Sequence, residues 1–385
     1  MPNKRVLHVV NVYFAVPYFF GNQFRYFKEK GYEMHLICSP DERLKQYAES
    51  QGGIEYAEIP ITRAISPITD IRSIYSVCKY IKQHQIDTIV GHTVKGGFIA
   101  GIAGRLMSVK NIIHFRHGIP YDRNTGLKKL FDIWRTRFIA ACAHKVVCVS
   151  PSLAKLSIEL KLNSPKKQYV LGKGTCGGID TQSKFNPRHI NAEKLRILQK
   201  QWGIKPDDFV IGYCGRIEAD KGITELLGAF KLLKERHPNM PLKLLLVGPF
   251  DERSSLSITE EDKQLLKQGN NGVIHTGYIT TDLEYYYTMM DICVLPSYHE
   301  GFGMCMVEAQ SMGKPVLTTR SYGCIDSIIP EQTGFYVDIT PESIAQGVEK
   351  YFDNELRRTM GIQARIWATE NFDNLVIWPH IEKLL

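Results

Sequence analysis

What this chain lacks narrows the field first. Its nine cysteines, at 38, 78, 142, 148, 176, 214, 293, 305 and 324, include no C-x-x-C pair, and an odd number cannot pair completely. That excludes a zinc ribbon or disulfide framework and leads us to expect reduced thiols in a cytosol. No Asp-x-Asp triplet occurs, so clustered carboxylates for a divalent cation are missing and no metal is expected. No apolar run approaches the ~20 residues of a membrane-spanning helix. The start, "MPNKRVLHVVNVYF", is basic and then briefly apolar, but it carries His8 and no small-residue cleavage pattern follows. It reads as a first buried strand, not a leader. Repeats and low-complexity tracts are missing too.

What is present is an ordinary globular composition, 44% hydrophobic and 23% charged over 385 residues, enough for two domains. The charge is uneven. Residues 1–180 carry 26 Lys and Arg against 13 Asp and Glu, and residues 181–385 carry 22 against 27. A basic first half suits an anionic partner: a phosphate-bearing substrate, a membrane surface or nucleic acid. No helix-turn-helix, zinc or aromatic RNA-binding signature accompanies it, so nucleic acid is not expected.

Short apolar runs alternate with longer amphipathic ones. "RVLHVVNV", "EMHLICS", "DTIVGH", "NIIHFRH", "HKVVCVS" and "KQYVLG" read as strands of the first half. "DFVIGYCGR", "LKLLLVGP", "GVIHTGY", "DICVLPS", "KPVLTT" and "GFYVD" read as strands of the second. Strand–helix alternation gives parallel sheets flanked by helices, so the pattern predicts an α/β protein of two doubly wound, Rossmann-like domains. The turn-rich "GTCGGIDTQSKFNPRHINAEK" marks the junction. We expect an N-terminal domain over 1–185, a C-terminal domain over 186–370, and a helical tail, 371–385, packing back on the first.

In open α/β sheets ligands bind off the carboxyl ends of strands. "VIGYCGRIEADKGITELLGAF" places Arg216 and Lys221 between a strand end and a helix start, a suitable cradle for a diphosphate. The alternative is two solvated surface cations. "LPSYHEGFGMCMVEAQSMG" places Glu300 in a turn and Glu308 on the helix after it. Gly301 and Gly303 allow close approach of backbone to a ligand, and the helix start favours an anion. Carboxylates would repel that anion, so their natural targets are hydroxyls. Phosphates and hydroxyls together describe a nucleotide sugar. A glycosidase pair would sit on separate elements; two unrelated solvated glutamates remain the bland alternative.

"GRIEADKG", "LLLVGP", "VIHTGYI", "LPSYHEGFGMCMVEAQSMGKPVLTT" and "TGFYVD", in that order over residues 208–338, resemble the C-terminal half of retaining GT-B glycosyltransferases of family four, the glycosyl transferases group 1. "VVCVSPSLAKL" and "GKGTCGGIDTQSKFNP" resemble the family's first half more loosely. The resemblance implies the GT-B architecture, two Rossmann-like domains facing across a cleft. It also implies transfer of a hexose, with retention, from a nucleotide diphosphate sugar, a UDP-sugar above others. The acceptor would be a glycan or polyprenyl-linked saccharide of a bacterial surface polysaccharide, with no cofactor. Arg216 and Lys221 would neutralise the departing diphosphate, Glu300 would contact the donor sugar and Glu308 the ribose. Gly215, Gly301, Phe302, Gly303, Met304 and Cys305 would line the donor, and Gly277, Tyr278 and Ile279 its base. His117, in "FRHGIPYD", would touch the transferred sugar. His92, Tyr18 and Gly21 would lie on the acceptor side.

The sequence departs from the family where "NVYFAVPYFFGNQF" replaces a paired-glycine loop, leaving Gly21 among aromatics that could stack on acceptor sugars or lipid. Asp326 also stands where a Glu is usual. Residues 125–145 read as a basic amphipathic helix, with Leu127, Leu130, Phe131, Trp134 and Phe138 among Lys128, Lys129, Arg135 and Arg137. Such a helix either buries its apolar face or docks on an anionic membrane, so the expected location is cytoplasmic, extending to the inner membrane face. Rival readings are a sugar-nucleotide epimerase or hydrolase of the same architecture and a non-catalytic nucleotide-sugar binder.

Overall fold

The computed structural model describes residues 4–64, 66–119, 125–250, 257–267 and 271–385. It divides into two compact units, residues up to Gly178 together with Asn374–Leu385, and Ile179–Asp373.

The first unit holds β1 (Arg5–Val9), β2 (Glu33–Cys38), β3 (Glu55–Glu58), β4 (Thr88–His92), β5 (Asn111–Arg116), β6 (Lys145–Cys148) and β7 (Gln168–Val170). They form one sheet in the order β3-β2-β1-β4-β5-β6-β7, every pair parallel. Val6, Leu7 and Val9 are fully buried, as expected of a strand covered by helices on both faces. The chain winds from β1 outward to β3, then returns to β4 on the other side of β1. The β1/β4 gap is therefore this sheet's switch point, where such sheets bind ligands.

The second unit repeats the plan with β8 (Phe209–Cys214), β9 (Leu242–Val247), β10 (Val273–His275), β11 (Ile292–Leu295), β12 (Val316–Thr318) and β13 (Gly334–Tyr336). Their order is β10-β9-β8-β11-β12-β13, again all parallel. Its switch point lies between β8 and β11.

Three features differ from the sequence pattern. The polar "EYAE" forms a thirteenth strand, β3, at the sheet edge, where it has few apolar residues to betray it. The aromatic stretch after β1 is not a loop but two short helices, Ala15–Phe20 and Gln23–Glu29. They bury Phe20, Phe24 and Phe27 in the core and leave Phe14 and Tyr18 exposed. The units divide at Gly178 rather than at 185, because Ile179 donates to the Phe372 carbonyl at 2.9 Å and Thr181 donates to Asp373. Beyond Asp373, Ile377, Trp378 and Ile381 join the first unit's core, and the Trp378 indole donates to the Gly177 carbonyl at 3.0 Å.

Candidate functional site

Because β8 and β11 are parallel neighbours, the loops leaving their carboxyl ends run side by side, and hydrogen bonds zip them together. The Tyr298 amide donates to the Asp220 carbonyl at 3.1 Å, and the Ser297 hydroxyl donates to the same carbonyl at 3.3 Å. Gly222 is left-handed (φ 70°), and a Cβ there would stand 2.1 Å from the Pro296 carbonyl oxygen. Only glycine lets the helix Ile223–Arg236 start so close to the end of β11.

Lys221 is buried in this seam. Its ammonium donates to the His299 carbonyl at 2.9 Å and to Glu300 Oε1 at 2.6 Å. Arg216 leaves the end of β8 held at its backbone, where its carbonyl accepts from the Tyr213 hydroxyl at 2.7 Å. Its side chain, 50% exposed, pairs with the nearly buried Glu218 at 2.7 Å. So the two cations read as one cradle have separate carboxylate partners, and Glu218 was not singled out by the sequence.

The next element is the helix Met304–Ser311, which starts from left-handed Gly303 and is buried along most of its length. Phe302, before it, is buried against Phe372. The preceding turn is backed by Gly323 (φ 76°), where a Cβ would meet the Gly301 carbonyl oxygen at 2.6 Å and that of Glu300 at 2.8 Å. Glu308 is buried, and its carboxylate accepts from the Tyr287 hydroxyl at 2.6 Å. Burial pushes its carboxyl up to about 7, against the opposing pull of Tyr287 and Lys184. A carboxylate inside a helix, bonded by one hydroxyl, has acceptor capacity left for ligand hydroxyls. Nearby Cys214 is half-buried, and desolvation pushes its thiol up to about 12.

Glycines close the ends of β8, β9 and β10. The Gly215 amide donates to the Val247 carbonyl at 2.9 Å, and the Gly248 amide to the Gly277 carbonyl at 3.1 Å. Tyr278 is exposed and Ile279 half-buried beside this ladder. His275, not foreseen, fixes Gly248 through a 2.9 Å contact to its carbonyl.

His117, His92, Tyr18 and Gly21 belong to the other unit. His117 follows β5; residues 120–122 of the same "FRHGIPYD" stretch lie outside the described residues. Its ring stacks on Phe19 with centroids 3.9 Å apart and planes 8° from parallel. His92, at the end of β4, is buried. Gly21 ends the helix Ala15–Phe20, its carbonyl accepting from Tyr47 at 3.0 Å. Among the described residues no three His, Cys, Asp or Glu side chains gather as a metal site.

Comparison with known proteins agrees with this geometry. The family model described as glycosyl transferases group 1 matches residues 196–367, and that described as glycosyltransferase family 4 matches residues 20–174. The chain is 30% identical to the capsular polysaccharide biosynthesis glycosyltransferase CapM of Staphylococcus aureus, over 100% of this chain and 97% of that protein. It is 25% identical to the UDP-Gal:alpha-D-GlcNAc-diphosphoundecaprenol alpha-1,3-galactosyltransferase of Escherichia coli, over 91% of this chain and 88% of that one. A solved glycosyltransferase from Rickettsia africae superposes with a TM-score of 0.81 at 20% identity, covering 100% and 98% of the two chains. The two parallel sheets are the GT-B fold.

Proposed function

We propose that this chain, which belongs to the glycosyl transferases group 1, moves a hexose from a UDP-sugar to a polyprenyl-diphosphate-linked saccharide, with retention, during assembly of a bacterial surface polysaccharide. The observation that carries the reading is the seam between the β8 and β11 loops. There Lys221 and Glu300 pair across the two loops, Arg216 leaves the end of β8 with its side chain half exposed, and the helix that holds Glu308 follows Glu300. The names of the Staphylococcus aureus and Escherichia coli relatives support the pathway, the UDP donor and the lipid-linked acceptor.

On this reading Arg216 and Lys221 neutralise the departing UDP. A diphosphate is already a good leaving group, so preorganised positive charge supplies what a general acid would otherwise give. Glu308 binds the ribose hydroxyls and Glu300 the hexose. The first unit takes the acceptor and the second the donor. No metal or cofactor has a role in this scheme. The family resemblance supports retention without a protein nucleophile, with the acceptor hydroxyl attacking from the face that the diphosphate leaves.

The helix Gly126–Cys142 extends the reading to a membrane. It buries Thr136, Ile139 and Ala140, and turns Leu127 (84% exposed), Leu130, Phe131 and Trp134 (59%) outward, beside Lys128 and Lys129. Along the helix Pro67–His84, Ile68, Ile71 and Tyr75 are exposed as well. No described helix is long and apolar enough to cross a membrane. An apolar stripe flanked by cations instead suits lying on an anionic leaflet, at the cytoplasmic face where lipid-linked acceptors are extended.

Thermal-shift titration with UDP-, GDP-, ADP- and CMP-sugars, followed by transfer to a polyprenyl-diphosphate sugar, tests the function. A shift with UDP-sugars and acceptor-dependent turnover are expected. Donor consumption that needs no acceptor would favour a hydrolase or epimerase, and no shift with any nucleotide would defeat the proposal.

A further inference from the structure

Three histidines of the first unit form a continuous chain. His8 on β1 and His92 on β4 straddle the switch point of the sheet, and His8 Nδ1 lies 3.0 Å from His92 Nε2. His92 Nδ1 in turn lies 3.2 Å from Nε2 of His117. His8 meets Phe20 and Phe24 edge-on, with centroids at 5.0 Å, and Phe19 covers His117. Burial pushes His8 and His117 down to about 3 and His92 well below its usual value. The rings are therefore neutral, with one N–H each.

Proton counting then leaves two arrangements. Each hydrogen bond in the chain uses one N–H, so the third N–H sits on an outer nitrogen, either His8 Nε2 or His117 Nδ1. His8 Nε2 is buried and has no hydrogen-bond partner among the described residues. An N–H there would be an orphaned buried donor, the rarer defect in folded proteins. The other arrangement has the His8 Nδ1–H donate to His92 Nε2 and the His92 Nδ1–H donate to His117 Nε2. It leaves the last N–H at the half-buried end, on His117 Nδ1.

The backbone holds this chain at some expense. Thr93, directly after His92, has φ 64°, a left-handed conformation that a β-branched residue adopts only under constraint. Its hydroxyl donates to Asn11 Oδ1 at 3.1 Å, tying the ends of β4 and β1 together. Strain kept beside a buried polar chain is a feature of sites that need fixed geometry.

We propose that His8 and His92 are positioning residues that lock His117 as its Nδ1–H tautomer, so that the nitrogen His117 offers a ligand is a hydrogen-bond donor to oxygen. His8 acts without touching His117. That the oxygen belongs to a sugar hydroxyl rests on the function proposed above; the tautomer does not. The lock excludes ligands that would need His117 as an acceptor or a base at that nitrogen.

The full chain, with ring-15N-labelled histidine, is examined by two-bond proton–nitrogen correlation at pH 7.5, with His117 assigned by loss of its signals in His117→Gln. A pure Nδ1–H pattern is expected. A pure Nε2–H or averaged pattern overturns the proposal whether or not the protein transfers sugar. His8→Phe removes the remote donor and should give an averaged His117 pattern. It should also lower kcat roughly 10–100-fold, as losing the outer partner of a functional imidazole does elsewhere, with donor KM little changed. His8→Asn, whose amide restores a donor near the Nδ1 position, should recover both. An unaltered His117 pattern in His8→Phe would show that no relay exists. Should that variant fail to fold, the wild-type pattern alone still decides the tautomer. Loss of transfer activity in every form, with the tautomer as expected, would remove the sugar hydroxyl as ligand and leave the chain of histidines standing.

Discussion

Lys221 and Glu300 form one ion pair at 2.6 Å, with the ammonium also held by the His299 carbonyl at 2.9 Å. The two side chains arrive from neighbouring strands, and their exposures of 11% and 20% put the pair mostly out of water. Each is the other's counter-ion, and on the proposed function each would also serve a different part of the donor. Removing one leaves the other poorly compensated. Lys221→Met is therefore expected to cut kcat by about 10²–10³, the scale for losing a preorganised charge donor. Glu300→Gln should slow transfer more than it weakens UDP binding. The double variant should lose less than the product of the two single losses, because the sites share one interaction. Steady-state kinetics of the three variants measure this, and strictly multiplicative losses would separate the two roles.

Arg216 lets stability be separated from function by a second substitution. Its side chain is half exposed, but its partner Glu218 is nearly buried. Arg216→Ala leaves that carboxylate without this counter-ion and should lower the melting temperature, and adding Glu218→Gln should restore most of the loss. Arg216→Ala should still reduce turnover by about 10²–10³ if the guanidinium stabilises the leaving diphosphate. Full turnover in Arg216→Ala would remove it from the site.

Much of this was legible in the sequence because parallel sheets write themselves as buried apolar runs, and because switch-point loops follow such runs directly. That rule places Arg216, Lys221 and Glu300 in loops after strands and Glu308 on the helix that follows, while the roles expected of them come from the family resemblance. It does not place their partners. Tyr287, His275 and Gly323 act through contacts that span about twenty to thirty residues, as between Tyr287 and Glu308 or between His275 and Gly248, and the burial of Glu218 beside Arg216 is set by the fold. The edge strand Glu55–Glu58 carries no apolar alternation, so its pairing with β2 is tertiary information. The histidine chain was not legible for the same reason: His8, His92 and His117 stand on three separate segments, and nothing in the sequence shows that their rings meet.

Glu308 predicts a pH dependence. Its carboxyl, pushed up to about 7 by burial, binds a proton more tightly in the folded protein than in the unfolded chain. Folded protein therefore holds the extra proton between about 4.5 and about 7, and stability contributed by this group falls as pH rises through that window. By the usual conversion the full effect is about 3 kcal/mol. Nucleotide binding should run the opposite way. If the ionised carboxylate accepts from ribose hydroxyls, UDP affinity rises with pH up to about 7 and then levels. Glu308→Gln should flatten both profiles and weaken UDP binding at pH 8. Calorimetric titration and thermal melting between pH 5.5 and 8 check the two signs separately, and a UDP affinity that falls with pH in the wild type would contradict the ribose role.

The helix Gly126–Cys142 makes the membrane part of the proposal measurable without any sugar chemistry. Lys128 and Lys129 stand beside exposed Leu127, Leu130, Phe131 and Trp134. Each cation near an anionic leaflet adds about 1 kcal/mol of attraction, so Lys128→Glu with Lys129→Glu should reduce co-sedimentation with phosphatidylglycerol vesicles by more than tenfold at low salt. Salt should weaken wild-type binding in the same way, since the attraction decays over a Debye length of about 10 Å at 0.1 M. Trp134→Ala should also release the protein from vesicles while leaving its melting temperature nearly unchanged, because the ring is mostly in water to begin with. Turnover on a water-soluble acceptor should survive all three substitutions, and turnover on a vesicle-borne polyprenyl acceptor should fall with vesicle binding. If wild-type protein stays in the supernatant with anionic vesicles at low salt, the helix has another purpose and the acceptor is reached without a docked enzyme.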